Sequence, residues 1–583
     1  MDMCGILGVR RSWVPDRSMA QRALDTMRWR GPDGVRLIQA GDWWLGVARL
    51  AITDARAAQP LTCAETGRVA LFNGAVTSAG SDWARFEDQA LTRNDGELAL
   101  LRMRDRGPQA LGDACGPYAL AVLDPINDDL WVARDPEGEK PLYLIGDGQR
   151  TVAFASTVSA LRALALDVHL DADERSRFLR YGFSLGPDLN NPGLTFTECP
   201  SGVHRAGARP TALPDSSLPV STNGISFRDR VLAAVRRCAT AEVPVGFCLS
   251  GGIDSSCIAA SLQELGLDRV AYQFRAEGTP DEERGWAYEI AKATETELKT
   301  VEAGVEILDD LSDLTRMTGL PQGDPSVFAA LALARRARAD GIKVLLSGEG
   351  ADDLWLGYDR HRAAVRLPGR GWRRLPGPRL AMGRMARLIR ALAANRPYDS
   401  LLEVVPPGFL EEVLVPGIPE TAELPDGGGP TALERARWVD RHIYLRRDLL
   451  PKLDTALMAA GVEGRCPFLD PGLLSSAPTQ ASDPRTIIGK RHLRDAFRDQ
   501  LPPGSLDRKK IGFGLPLDRW LRGDCSLTDL LRDRRTLERE HIDATGLTRM
   551  LDRHRSGALR VGHGLYLLAA YEVYLRYLEE SAA

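Results

Sequence analysis

The chain has 583 residues, with 75 Lys and Arg against 79 Asp and Glu and a formal net charge of −4. Hydrophobic residues are 44% and charged residues 26%, an ordinary globular balance that excludes a global basic field for nucleic-acid binding. No apolar run reaches the roughly 18 residues of a membrane-crossing helix, and at roughly 100–200 residues per domain the length implies more than one domain.

Taken in chain order, short apolar runs at 44–47, 69–72, 118–123 and 130–133 are bounded by turn residues and predict strands. Helical patterns at 19–27 and 96–106 lie between them, so the first part predicts an α+β or layered unit. Residues 206–223 lose periodicity and turn rich in Pro, Ser, Thr, Ala and Gly, which marks a boundary. Strand and helix then alternate: strands at 243–249, 270–274 and 342–346, helices at 255–265, 286–294 and 327–340. This alternation predicts a parallel sheet with helices on its faces. From about residue 430 the pattern is mostly helical. The arginine-rich segment 362–396 reads as a solvated helix face rather than a nucleic-acid patch. Nine cysteines, an odd number without Cys-x-x-Cys, argue against a disulfide framework or a zinc site and point to a cytoplasmic protein. The first five residues show no signal-peptide pattern.

The strongest local signal is Leu249-Ser250-Gly251-Gly252-Ile253-Asp254-Ser255-Ser256, set between an apolar strand and a helix start. Glycines let a backbone approach a ligand closely, and a helix N-terminus presents N–H groups to an anion. Asp254 can hold a Mg²⁺ that bridges phosphates. No Gly-Lys-Ser/Thr follows, so this is not a Walker loop. The strand at 342–346 runs into Ser347-Gly348-Glu349-Gly350-Ala351-Asp352-Asp353, and the parallel-sheet rule puts both loops on one edge.

The first of these loops resembles the pyrophosphate loop of ATP pyrophosphatases. Both in this order resemble the synthetase domain of the glutamine-dependent (class B) asparagine synthetases. The likeness continues in residues 444–454, in the Glu463-Gly464-Arg465-Cys466-Pro467-Phe468-Leu469-Asp470 block and in 508–513. It implies ATP and Mg²⁺ as cofactors, with ATP held by Leu249, Ser250, Gly251, Gly252, Asp254, Ser255, Ser256, Ser347 and Gly348. Asp254 and Asp352 would hold the metal, Glu349 would lie near the reacting carbonyl, and Lys510 would neutralise phosphate charge. The front of the chain resembles an N-terminal-nucleophile glutaminase through Cys4-Gly5-Ile6, Arg30-Gly31-Pro32-Asp33, Asn73-Gly74 and Asn94-Asp95. There the resemblance implies a Cys4 thiolate that attacks the glutamine amide, with Asn73 and the Gly74 N–H at the oxyanion. Arg49 would hold the glutamine carboxylate, and Asp95 its amino group.

The expected fold is therefore α/β: an αββα glutaminase domain at 4–210 and an ATP-pyrophosphatase-like synthetase domain with a parallel sheet at 225–583. The resemblance implies ATP- and glutamine-dependent amidation of a carboxylate on a small molecule or peptide, with a homodimer as the family's suggestion and no nucleic acid or membrane as partner. The alternative is an intramolecular amide-forming cyclase, of the β-lactam synthetase or lasso-peptide cyclase type, with a vestigial glutaminase. Departures bear on that choice. Cys4 follows Met1, Asp2 and Met3, so a free α-amine requires their loss; Ala75 replaces a glutamate, and Asp353 replaces another. Trp355-Leu356 replaces Phe-Gly and is expected to reshape the acceptor pocket. Asp454-Thr455-Ala456-Leu457-Met458 differs from the commoner Asp-Arg-x-Ser-Met.

Overall fold

The computed structural model describes residues 2–52, 57–76, 83–92, 94–111, 114–191, 193–206, 211–212, 224–279, 282–367, 384–416, 423–476, 488–506 and 514–582. In the N-terminal half, alternation along the strands builds the layers. In β1 (Asp2–Arg10) Cys4 and Ile6 share a core with Leu45 and Val47 of β3 (Trp43–Ala51). Val69 and Leu71 of β5 (Val69–Gly74) and Ala119 and Ala121 of β6 (Tyr118–Asp124) complete that interior between two sheet layers. Leu7 and Val9 point the other way, onto Ala20, Ala23 and Leu24 of the helix Arg17–Asp25. Phe72, Leu120 and Val122 likewise face Leu98, Ala99 and Met103 of the helix Asp95–Arg106. The result is helix, sheet, sheet, helix, as the period-2 pattern requires when both faces of a strand are covered.

The register around β1 sets up the first site. One edge pairs along its whole length with β3, placing Cys4 opposite Arg49. On the other edge Asp2 lies opposite Gly74 of β5, while Leu7–Val9 pair with Ala153–Ala155 of β9 (Thr151–Ala155). The two neighbours part on that edge, and Cys4 sits in the fork.

The C-terminal half carries a five-stranded, all-parallel sheet. Its strands are β15 (Val245–Cys248), β16 (Val270–Ala276), β17 (Glu297–Ala303), β18 (Val344–Leu346) and β19 (Glu463–Arg465). The spatial order is β17-β16-β15-β18-β19, so the winding reverses between β15 and β18, where open α/β sheets bind ligands. Two strands were not expected from the sequence. β17 mixes Glu297, Lys299 and Glu302 with Leu298, Val301 and Ala303 and is buried on neither face, as an edge strand can be. β19 has only three residues, and its Glu463 and Arg465 are fully buried. Arg465 Nε donates to Glu463 Oε1 at 2.7 Å, and its Nη1 to the carbonyls of Cys238 and Thr240, so this block of the motif pins the sheet edge.

The halves share one core. Met3, Leu50 and Ile52 pack in the cluster that holds Phe247, Leu249 and Leu346, and Phe178 of the helix Ala172–Tyr181 lies 6.2 Å from the Tyr571 ring. None of the nine cysteines is joined in a disulfide. Among the described residues no helix is long and apolar enough to cross a membrane. In the arginine-rich segment, residues 368–383 lie outside the described residues, and Arg390 is not solvated: it is buried, 3.8 Å from Glu403. Trp355 also departs from expectation. The short helix Ala351–Leu354 turns it into the core, where it is 1% exposed and packs edge-on to Phe227 and Phe468 rather than on a pocket wall.

Candidate active sites

At the first site the fork in the sheet brings Asn73 beside Cys4. The Cys4 N–H donates to Asn73 Oδ1 at 2.9 Å, and the buried Asn73 Nδ2 has no partner among the described residues. Gln59 Nε2 lies 3.6 Å from Cys4 Sγ, and Gln59 Oε1 accepts from the Phe72 N–H. Gly74 has φ +136, and a Cβ there would come within 2.0 Å of the Pro117 carbonyl oxygen, so only glycine serves. Asn94 caps the helix Asp95–Arg106, and Asp95 Oδ2 accepts from the Val76 N–H at 3.1 Å, directing that carboxylate to the end of β5. Cys4, Asn73, Gly74, Arg49 and Asp95, separate in sequence, are thus gathered around the start of β1.

At the second site the loops after β15 and β18 meet. Gly252 is the N-cap of the helix Ile253–Glu264 and makes no side-chain cap bond, so the first helical N–H groups are left to a ligand. Gly251 has φ +70, and a Cβ there would press on the Ala287 nitrogen at 2.7 Å. Ser255 and Ser256 both donate to the Gly252 carbonyl, and the Ser250 hydroxyl accepts from the Gly252 N–H. On the facing loop, a Cβ on Gly348 would lie 2.9 Å from Asp254 Cβ, which shows how closely the two loops approach.

Asp254 and Asp352 converge on one cation, and that cation is Lys490. Its Nζ lies 2.5 Å from Asp254 Oδ2 and 2.6 Å from Asp352 Oδ1. Burial alone would lower the ammonium pKa, but Asp254 and Asp352 outweigh it and hold it above its usual value. Lys490 has φ +60, an uncommon conformation for a lysine, and it opens the helix Arg491–Ala496 from the left-handed region. Sequence reasoning missed Lys490 and assigned the phosphate charge to Lys510, which lies outside the described residues. The one local signal was its place after Gly489 at a helix start.

Glu349 does not stand alone either. Its Oε1 accepts from Lys452 Nζ at 3.1 Å, and Asp324 lies 3.3 Å from the same nitrogen. Burial would lower this lysine; Glu349 and Asp324 outweigh that and raise it.

Residues 226–576, more than half of the chain, match the family model "Asparagine synthase". Residues 3–192 match "Glutamine amidotransferase domain". The chain belongs to the asparagine synthase family. A putative glutamine-hydrolyzing asparagine synthetase of Mycobacterium bovis is 30% identical over 603 aligned residues, covering 93% of this chain and 91% of that protein. The glutamine-hydrolyzing asparagine synthetase 1 of Bacillus subtilis is 26% identical, over 90% of this chain and 88% of that protein. Asparagine synthetase B of Escherichia coli is 29% identical over 61% of this chain and 65% of its own length. The relatives so named are ligases.

Within the synthase half, Asp454 reaches back to the amidotransferase half. It accepts from Arg30 Nη1 at 2.7 Å and from Lys140 Nζ at 3.3 Å, and all three side chains are at least 96% buried. Burial would raise the Asp454 carboxyl, yet Arg30 and Lys140 together outweigh it and hold the group below its ordinary value. Arg30 Nε also donates to the Cys4 carbonyl at 3.2 Å. One guanidinium therefore ties β1 to the helix Leu450–Ala459, which also carries Lys452.

Proposed function

We propose that the chain is an ATP-consuming, glutamine-dependent amide synthetase. In the region 225–583 an acceptor carboxylate attacks the α-phosphate of ATP to give acyl-AMP and pyrophosphate. Ammonia then displaces AMP to leave the amide. In the region 4–210 the Cys4 thiolate attacks the glutamine side-chain amide, releasing ammonia, and water then frees glutamate. The observation that carries this reading is the convergence of Asp254 and Asp352, from the loops after neighbouring strands, on the Lys490 ammonium.

Two carboxylates already gathered around a cation are a donor set that suits Mg²⁺. Among the described residues no group of three or more His, Cys, Asp or Glu could hold a metal, so Asp254 and Asp352 would hold Mg²⁺ with waters and phosphates completing its shell. When bound, the metal would neutralise phosphate charge. The chain's own contribution is positional. The loop glycines and the free helix N–H groups would cradle phosphates, and Lys490 would move from the carboxylates to the nucleotide. Lys452 donates to Glu349 and fixes the carboxylate that would lie beside the acceptor. Asn73 Nδ2 and the Gly74 N–H would stabilise the oxyanion, with Arg49 and Asp95 on the glutamine carboxylate and amino group.

Incubation with ATP, MgCl₂, glutamine and a panel of carboxylates, aspartate first, tests the proposal. Glutamate and pyrophosphate should appear together, and ADP in place of AMP would sink it. One observation favours the cyclase reading: Met3 is buried and paired opposite Leu50, so in the unprocessed chain the Cys4 nitrogen is an amide and no base. Intact mass of the purified protein, with a Cys4→Ala variant, separates the two readings.

A further inference from the structure

Gln59 lies outside every motif that the sequence singles out, yet the fold carries it to the nucleophile. It stands just before the short strand Leu61–Thr62, whose Leu61 lies opposite Ala70 of β5. Continuing that register sets Gln59 beside Phe72, the neighbour of Asn73. The Phe72 N–H can only donate, so the atom it meets at 2.8 Å is the Gln59 carbonyl oxygen. This fixes the amide: its other end, Nε2, faces Cys4 Sγ at 3.6 Å.

Both side chains are buried, Gln59 at 3% exposed and Cys4 at 0%. Cys4 shares its core with Ile6, Leu45, Val47 and Leu71, whose side chains offer an anionic sulfur no hydrogen bond. A charge in such surroundings persists only where donors meet it. An amide N–H gains more from a thiolate than from a thiol, so the contact favours the reactive form.

We infer that Gln59 is a catalytic residue of the amidotransferase site, donating Nε2–H to the Cys4 sulfur and holding it as the thiolate. The inference rests on the glutaminase reading above. The donor serves twice. In the first step the sulfur electron pair forms the C–S bond, the amide C–N bond breaks, and the thiol's proton ends on the departing ammonia. In the second, water adds to the thioester, the C–S bond breaks, glutamate leaves, and the electron pair returns to sulfur, where Nε2–H meets it again. Gln59 keeps its own protons throughout, so it is no base. Arg30, Arg49 and Asp95 also lie near Cys4. All three are the same in a Gln59 variant as in the parent, so a difference between the two reads Gln59.

The test is glutamine hydrolysis by the chain starting at Cys4, from about pH 5 to pH 9, in the parent, Gln59→Met and Gln59→Glu. Methionine keeps the length and takes away the donor. Glutamate keeps an acceptor for the Phe72 N–H and serves if the methionine variant does not fold. In either variant kcat should fall about tenfold to a hundredfold, the range for one hydrogen bond to a charged group, with KM within about twofold. The acid limb of kcat/KM, which reports the free enzyme, should move up by about one pH unit. A parental kcat, a loss confined to KM, or a kcat loss with an unmoved acid limb overturns the inference and leaves the glutaminase reading standing. If the parent releases no glutamate at any pH, that reading falls and the inference with it.

Discussion

Lys490→Met tests the charge arrangement at the nucleotide site. The Lys490 side chain is 4% exposed, and its Nζ lies within 2.6 Å of two carboxylates from different loops. Methionine keeps the length and removes the charge, so Asp254 and Asp352 lose the ammonium they share. Breaking a buried pair in this way costs about 3–5 kcal/mol. Each kcal/mol is worth roughly 2–4 °C in a domain of this order of size, so the melting temperature should fall by about 6 °C or more. The vacated position would suit a divalent cation. Mn²⁺ at about 100 times its Kd should return about 2.7 kcal/mol, whereas the parent, whose lysine already fills the position, should gain far less. Differential scanning calorimetry of both proteins without nucleotide, with and without MnCl₂, reads both effects. Pyrophosphate exchange by the variant should drop about 10²–10³-fold, the range for losing one preorganised donor at developing charge. An unchanged melting temperature, or equal Mn²⁺ stabilisation of parent and variant, would refute the assignment of Lys490 as the resident cation.

Other outcomes follow from the same geometry. Gly74→Ala forces a left-handed backbone and a 2.0 Å clash with Pro117, so glutamate release should be lost while ammonium-driven amidation survives. Asp454→Asn removes the charge that Arg30 and Lys140 share, and it should destabilise the junction by about 3–5 kcal/mol in chemical denaturation. The pH dependence has a definite sign. The Asp454 carboxyl is held below its ordinary value in the folded chain, so its contribution is fully present above the unfolded value of about 3.9 and fades as pH falls through the folded one. Denaturation from pH 5 to pH 3 should therefore be steeper for the parent than for Asp454→Asn, and parallel curves would contradict this.

The parts of the molecule that were legible beforehand share a physical cause. Strands with both faces covered, such as β5 and β6, carry continuous apolar runs, and the loop 249–256 announces itself because strand, glycines and helix start are contiguous. Three features were not legible. Lys490 acts from about 140 residues beyond Asp352, and a single lysine at a helix start carries no local mark of its partners. Trp355 sits next to the nucleotide loop in sequence, but one helical turn sends it inward, and spacing alone cannot show that. β17 was hidden because an edge strand that mixes charged and apolar residues resembles a solvated connection. At the first site the resemblance named the participants, and only the register of β1 with β3 and β5 shows why they meet.

Amidation measured with two nitrogen sources in the parent and a Cys4→Ala variant tests the two-site account most directly, with AMP and amide product quantified alongside glutamate. The account predicts that the parent, starting at Cys4, uses glutamine or ammonium chloride, while the variant uses only ammonium chloride and releases no glutamate. A Cys4→Ala variant that forms amide from glutamine as fast as the parent would contradict it.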